Sequence, residues 1–167
     1  PTPDHGYILV GTALDPFYQN TAYYVLKLDS NGNEKWSRIF SDPLNAYGNA
    51  IVPTYDGGYA FVGSHNGIFY DGVAEIVRLD SLGNIVNSNS FPPADGWGTA
   101  GIGIIETGDS NLAISVYTDG FISQNYYSLY KIAPDLSTSW TSFLSYDGSI
   151  LNPYDVIQEK DGSFFSM

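Results

Sequence analysis

Cysteine is absent from this chain, which excludes a disulfide framework, thiolate metal sites and cysteine nucleophiles and leaves no redox mark of compartment. Cations are almost as scarce: 6 Lys+Arg stand against 18 Asp+Glu, for a formal net charge of −12. A surface of that sign repels phosphate backbones and has few groups with which to displace counterions, so no nucleic-acid partner is expected. No apolar run reaches the length of a membrane span, so no membrane insertion is expected either. The opening Pro1-Thr2-Pro3-Asp4 has neither a basic nor an apolar leader segment, and any signal peptide is expected to have been removed or to lie outside this sequence. The only histidines, His5 and His65, have no second ligand beside them, which argues against zinc. What is present is aromatic and rich in glycine. Hydrophobic residues make up 43% and aromatics 16% of 167 residues, with 18 Gly and 14 Tyr, ample for the core of one domain and unlike a disordered segment.

The same short phrases recur along the chain. Thr2-Pro3-Asp4-His5-Gly6-Tyr7 aligns with Thr54-Tyr55-Asp56-Gly57-Gly58-Tyr59, with Thr107-Gly108-Asp109-Ser110-Asn111-Leu112 and with Asp161-Gly162-Ser163-Phe164, so the aspartates fall 52, 53 and 52 residues apart. A second marker, Lys27-Leu28-Asp29-Ser30-Asn31-Gly32-Asn33, returns as Arg78-Leu79-Asp80-Ser81-Leu82-Gly83-Asn84 and, degraded, from Lys131 to Ser137. Phe40, Phe91 and Phe143 follow in phase, as do Phe17, Phe69 and Phe121. Inside one unit, four short β-branched or aromatic runs are separated by Gly, Asp and Asn, the punctuation of strands and turns. In the central unit they are strand A at 50–53, B at 59–63, C at 74–79 and D at 85–91. A four-stranded antiparallel meander repeated every 40 to 50 residues predicts propeller-type blades. The units are 1–46, 47–99, 100–152 and a partial one at 153–167.

The stretch from Tyr24 to Trp36, with its Leu28-Asp29-Ser30-Asn31-Gly32-Asn33 turn ahead of a tryptophan, resembles the last two strands of quinoprotein-like propeller blades. With the Asp56-Gly57-Gly58-Tyr59 marker, the chain is similar over its length to secreted bacterial β-propeller repeat proteins. It departs from the pattern where Asn87 replaces the tryptophan and where the third unit loses the turn glycine but keeps Trp140. The resemblance implies an all-β chain of about three and a fraction four-stranded antiparallel blades at an extracellular or cell-surface location. Thr54, Asp56, Gly58 and Phe61 also fit the Asp-box of sialidase propellers, which Ala60 breaks. An Asp-box is a turn staple, so that match concerns fold alone.

Three units and a strand or two are fewer than the four to eight blades of a closed ring. The missing part is expected from the remainder of a longer chain, from a second copy that completes a ring, or from successive copies in an open fibre. Bare edges and faces in water make a self-sufficient monomer the least favoured state.

Function is expected on the long B-to-C loops at 12–21, 64–72 and 118–125 and the D-to-A loops at 41–49, 92–101 and 145–154. This rim carries Tyr18, Tyr47, Tyr70, Asp71, Trp97 and Tyr154, rings beside acceptors of the kind that stack on and hydrogen-bond sugars. These six are the candidate ligand-binding residues, and glycans the candidate ligand. The Phe17, Phe69 and Phe121 series, being in phase, is expected to pack between units. Asp15, Asp71 and Asp119 could furnish an acid–base pair for glycoside cleavage, but Asp-Pro and Asp-Gly already explain them as turn formers. The Asp29 to Glu34 run has calcium-loop oxygens without the closing bidentate Glu and reads as a hairpin turn. No nucleophile elbow or phosphate loop occurs, so no cofactor is expected and the chain reads as non-catalytic. Lys27, Arg78 and Lys131, half of all cations, share one place on strand C and are expected to pair with carboxylates of the adjoining unit, worth little at an exposed site.

Overall fold

The computed structural model describes residues 1–41, 44–66, 72–93, 96–120, 126–144 and 156–166. All regular structure among them is β. The first sheet is β1 (Tyr7–Leu14), β2 (Thr21–Leu28) and β3 (Glu34–Phe40). The second is β4 (Ala46–Pro53), β5 (Tyr59–His65), β6 (Val73–Leu79) and β7 (Ile85–Phe91), and the third is β8 (Gly96–Glu106), β9 (Leu112–Gly120), β10 (Tyr126–Ile132) and β11 (Thr138–Leu144). A fourth pairs β12 (Val156–Gln158) with β13 (Phe164–Ser166). Every pairing is antiparallel and sequential, so the chain is a string of small meanders. The first sheet starts at the B position, and the fourth holds A and B.

Among the described residues one turn recurs seven times, closing six hairpins and, at residues 2–6, leading into β1. In each, the N–H of the fourth residue donates to the carbonyl of the first, and the first N–H donates to the carbonyl of the fifth, as in Gly57 to Thr54 and Thr54 to Gly58. The fourth residue always has positive φ: His5, Gly32, Gly57, Gly83, Ser110, Leu136 and Gly162 lie between 60° and 88°. This is the three-residue hairpin loop whose last residue makes a G1 bulge. Glycine is the natural occupant, and Leu136, which replaces it, is buried in the core. The rest of the C-to-D loop is closed by its aspartate: Asp29 Oδ1 accepts from the amides of Asn31 and Asn33, and Asp80 Oδ1 from those of Leu82 and Asn84. The 29–34 run is therefore a hairpin turn, as expected.

The strands are longer than the sequence suggests. Residues 46–49 and 96–101, read as loops, are strand paired to β5 and β9, with irregularities between Gly48 and Ala50, between Gly96 and Gly98 and between Gly101 and Gly103. Glycine and tyrosine there mark bulged strand, because a bulge absorbs one residue and bends the edge without ending the ladder. Tyr47 and Trp97 are thus strand residues, and Trp97 is the extra residue of a bulge.

The core is three clusters, one between each pair of consecutive sheets. Tyr23 and Val25 meet Tyr59, Phe61, Val77 and Leu79 between the first and second sheets. Ala60, Val62 and Ile76 meet Ile104, Leu112 and Ile114 between the second and third. Ala113 and Leu129 meet Val156 between the third and fourth. Alternation of side chains makes this possible: on β5, Tyr59 and Phe61 face backward and Ala60 and Val62 forward, so a strand with no polar face is buried on both sides. Glycine sets the spacing. A Cβ on Gly48 would lie 2.5 Å from Val10 Cγ2 and 2.8 Å from Gly11 O, and one on Gly101, its counterpart, 2.8 Å from Val62 Cβ and 3.1 Å from Gly63 O.

Candidate functional site: the open side of the first sheet

The rim expected to bind falls only partly within the described residues. Tyr18 is exposed and Tyr47 half-buried. The side chain of Trp97 and residues Tyr70, Asp71 and Tyr154 lie outside the described residues. Phe17, expected to pack between units, is 83% exposed; its place in the repeat gives it a position but no neighbouring surface. Phe69 and Phe121 lie outside the described residues. Asp15 is wholly buried, and its Oδ1 accepts from the amides of Phe17 at 2.7 Å and Tyr18 at 3.1 Å. Burial opposes its ionisation, yet the Ser41 hydroxyl and those amides outweigh burial and hold the carboxyl below its ordinary range. Asp15 closes the B-to-C connection and is not presented to a substrate. Among the described residues no group of three or more His, Asp or Glu is placed to hold a metal ion.

The cations also differ from expectation, because each bonds the aspartate of its own sheet's A-to-B turn. Lys27 Nζ lies 2.9 Å from Asp4 Oδ1, Arg78 Nη2 2.5 Å from Asp56 Oδ2 and Lys131 Nζ 2.5 Å from Asp109 Oδ2. Thr2, Thr54 and Thr107 complete the cluster, each hydroxyl donating to that aspartate. Strand C passes beside strand B, so position 27 reaches back across its own hairpin before it can reach a neighbour. Lys27 is buried and also donates to Thr2 Oγ1 at 3.1 Å and Leu28 O at 2.9 Å. Arg78 touches the adjoining sheet through the carbonyl of Pro134, a backbone acceptor.

These bonds hold the turn carboxyls in their ionised form. The Thr2 hydroxyl, Lys27 and Lys35 keep Asp4 well below the usual carboxylate range. Lys131 does the same to Asp109, aided by Thr107 and Asn111, and the Thr54 hydroxyl, with the Gly58 amide and Arg78, lowers Asp56. Asp29, Asp80, Asp135 and Asp161 are lowered by the side chains of Asn33, Asn84, Ser137 and Ser163. A carboxyl whose folded pKa is depressed stabilises the fold above its unfolded value of about 3.9, and that stability is lost as pH falls through and below it. The urea midpoint should therefore drop steadily on acidification from about pH 5 to about pH 2. A level or rising midpoint would mean that relief of repulsion among the 18 acidic residues outweighs the turn bonds.

Joining bonds between sheets recur one repeat apart. Asn49 Nδ2 donates to Gly101 O at 2.7 Å, and Tyr23 Oη to Glu75 Oε2 at 3.1 Å. The Tyr55 amide donates to Glu106 Oε1 at 2.8 Å, and the Gly108 amide to Gln158 Oε1 at 3.3 Å. At the corresponding junction between the first two sheets stand Pro3 and Pro53, one without an N–H and the other without a side-chain acceptor. Donor and acceptor vanish together. The tryptophan position behaves similarly: Trp36 packs edge-on to Tyr59 at 5.8 Å and over Gly83, and Trp140 edge-on to Phe164 at 5.8 Å. Asn87 holds the register of Trp36, and there the next sheet's turn carries Leu136 in place of glycine.

Against this repeating frame the first sheet stands out. Its backward face pairs Tyr7 with Leu28, Leu9 with Leu26 and Gly11 with Tyr24, and Tyr24 with Ile39 on the far side. On the second sheet the same face, Tyr59 and Phe61, is 6% and 0% exposed, and on the third Leu112 and Ile114 are 2% and 0%. Tyr7 and Leu9 are 49% and 46% exposed. The free edge of β1 has no partner strand among the described residues, whereas β5 and β9 are paired on both edges. Gly11 reports the same opening: a Cβ there meets nothing within 4 Å, but at Gly63 it would lie 2.2 Å from Tyr47 O and 2.9 Å from the Tyr23 ring. Sequence reasoning anticipated a bare edge and assigned none of these residues to it; the signal was available in the apolar residues at 7, 9, 24, 26 and 28.

No family model matches the chain, and no curated protein matches it. Among solved structures, the chain is similar to a protein of unknown function from Bacteroides caccae, with a TM-score of 0.49 and 12% sequence identity. The match covers 86% of this chain and 46% of that one, so this chain spans less than half the length of the structure that it matches.

Proposed function

We propose that the chain is a run of propeller-type blades that serves, at the cell surface or outside the cell, as a non-catalytic interaction module, and that the open side of the first sheet is where a further strand, of the same chain or of another, is received. The observation that carries this reading is the contrast between Tyr7 and Leu9, about half exposed, and their counterparts Tyr59, Phe61, Leu112 and Ile114, all buried. A contiguous apolar face beside an unpaired strand edge is a template for another strand or sheet. Main-chain hydrogen bonds along such an edge give affinity, and the alternating pockets of the face give selectivity. The repeating sequence and sheets support the blade reading, in which each sheet rests on the one before it.

The chain supplies its own model ligand, because β4 fills on β5 the place that is open on β1. A synthetic peptide of residues 46–54 should slow amide hydrogen exchange along β1 by about tenfold or more while leaving β10 unchanged. Equal exchange at β1 with and without saturating peptide would overturn the reading.

A further inference from the structure

We propose that Asn31, in the hairpin turn between β2 and β3, is a site of spontaneous deamidation: the main-chain nitrogen of Gly32 attacks the Asn31 side chain, and an aspartate or isoaspartate is left in its place.

In the seven copies of the turn, the residue just before the positive-φ position is Asp4, Asn31, Asp56, Leu82, Asp109, Asp135 or Asp161. Bonding holds each of the five aspartates in its ionised form, and a carboxylate anion is a poor electrophile. The neutral carboxamide of Asn31 has no such protection. It is also followed by glycine: Gly32, at φ 84°, presents a nitrogen with no Cβ to hinder its approach. The other Asn-Gly pair, Asn66-Gly67, continues outside the described residues.

The turn gives the Asn31 side chain nothing to do. Asn31 is exposed, as are Leu82 and Asp135 at the same place in the second and third sheets, each of which has a sheet before it, so the exposure belongs to the turn itself. Asp135 and Asp161 accept from the amides of Ser137 and Ser163. The corresponding amide here, that of Asn33, is taken by Asp29 Oδ1 at 2.9 Å, and among the described residues the Asn31 carboxamide makes no hydrogen bond. The Gly32 nitrogen is held by one bond, to Asp29 O at 3.2 Å. Attack therefore waits on a local opening of the turn, and Asp29, which also accepts from the Asn31 amide at 2.8 Å, sets how often it opens.

The step balances with solvent water alone. The Gly32 nitrogen gives up its proton and bonds to Asn31 Cγ, while the side-chain nitrogen takes that proton and leaves as ammonia, closing a succinimide ring. Water then opens the ring. Cleavage of the bond from nitrogen to Cγ leaves an ordinary aspartate; cleavage of the bond from nitrogen to the main-chain carbonyl carbon leaves isoaspartate, with one more carbon in the backbone of the hairpin. Either product adds one negative charge to the −12 of the chain.

Incubation of the folded chain at mildly alkaline pH, followed by peptide mapping that separates asparaginyl, aspartyl and isoaspartyl forms, reads each site on its own. Asn31 should convert about tenfold faster than Asn33, Asn84 or Asn111, whose following residues carry a Cβ. Asn31→Gln should keep the circular dichroism of the parent and slow the growth of acidic species in isoelectric focusing. Asp29→Ala should raise the rate at Asn31 about fivefold, whereas Asp29→Asn, which keeps an acceptor, should leave it near that of the parent. Hydrogen exchange along β2 and β3 checks that both variants are folded. An Asn31 that stays intact in the folded chain while it converts in guanidinium chloride, or that converts no faster than the other three, overturns the proposal. A rate indifferent to Asp29→Ala in a folded variant overturns the control by the turn.

Discussion

Gly63→Ala lowers the free energy of unfolding by about 3 kcal/mol, while Gly11→Ala, at the same place in the preceding repeat, changes it by less than about 0.5 kcal/mol. The new methyl at 63 would sit 2.2 Å from Tyr47 O and 2.9 Å from the Tyr23 ring. The first of these is backbone, held by the pairing of β4 with β5, and the second belongs to a buried residue. Neither can withdraw without parting a ladder or opening the cluster between the first two sheets. At Gly11 no atom lies within 4 Å. Urea unfolding of both variants, at concentrations too low for association, measures the difference. Equal effects at the two positions would mean that the sheets are spaced more loosely than their glycines indicate.

A larger loss is expected from Phe61→Ala, about 4 kcal/mol. Phe61 is fully buried, edge-on to Tyr23 at 5.1 Å and stacked on Phe40 at 6.1 Å. It belongs to a strand covered on both faces, so the cavity left behind has no solvent side into which its walls can relax. Calorimetry should place the melting temperature roughly 10 °C lower. Leu9→Ala is the companion: Leu9 occupies the same register with nearly half its surface in water, and its truncation should cost less than about 1 kcal/mol in the single chain. A Phe61→Ala loss no larger than that of Leu9→Ala would contradict the burial of the second sheet between its neighbours.

Much of this architecture was legible in advance because turns are local. An aspartate in the turn, with glycine at the positive-φ position, specifies the hairpin without help from the rest of the chain, and turns of this kind recurring in phase announced antiparallel meanders. What eluded sequence reasoning depends on contacts between sheets. Phe17 repeats in phase and yet faces water, since periodicity locates a residue without supplying a partner. Residues 46–49 and 96–101 read as loops because bulged strand and loop draw on the same glycines. Lys27, Arg78 and Lys131 were assigned to neighbouring units, although strand C lies nearer to its own A-to-B turn. The bare edge was foreseen, but its residues were not, because long connections attract attention, whereas the exposure of Tyr7 and Leu9 becomes visible only when sheet is compared with sheet.

The junction at Trp36 and Gly83 has a consequence for how such arrays can be edited. An indole fits where the following turn bears only hydrogen, and the smaller Asn87 stands where the following turn bears Leu136. Excising the second unit would bring the indole onto the leucine, so these modules carry an address: the bulk on one side of each seam prescribes which neighbour can follow, and shuffling them would scramble a linear order that their nearly identical turns leave unspecified.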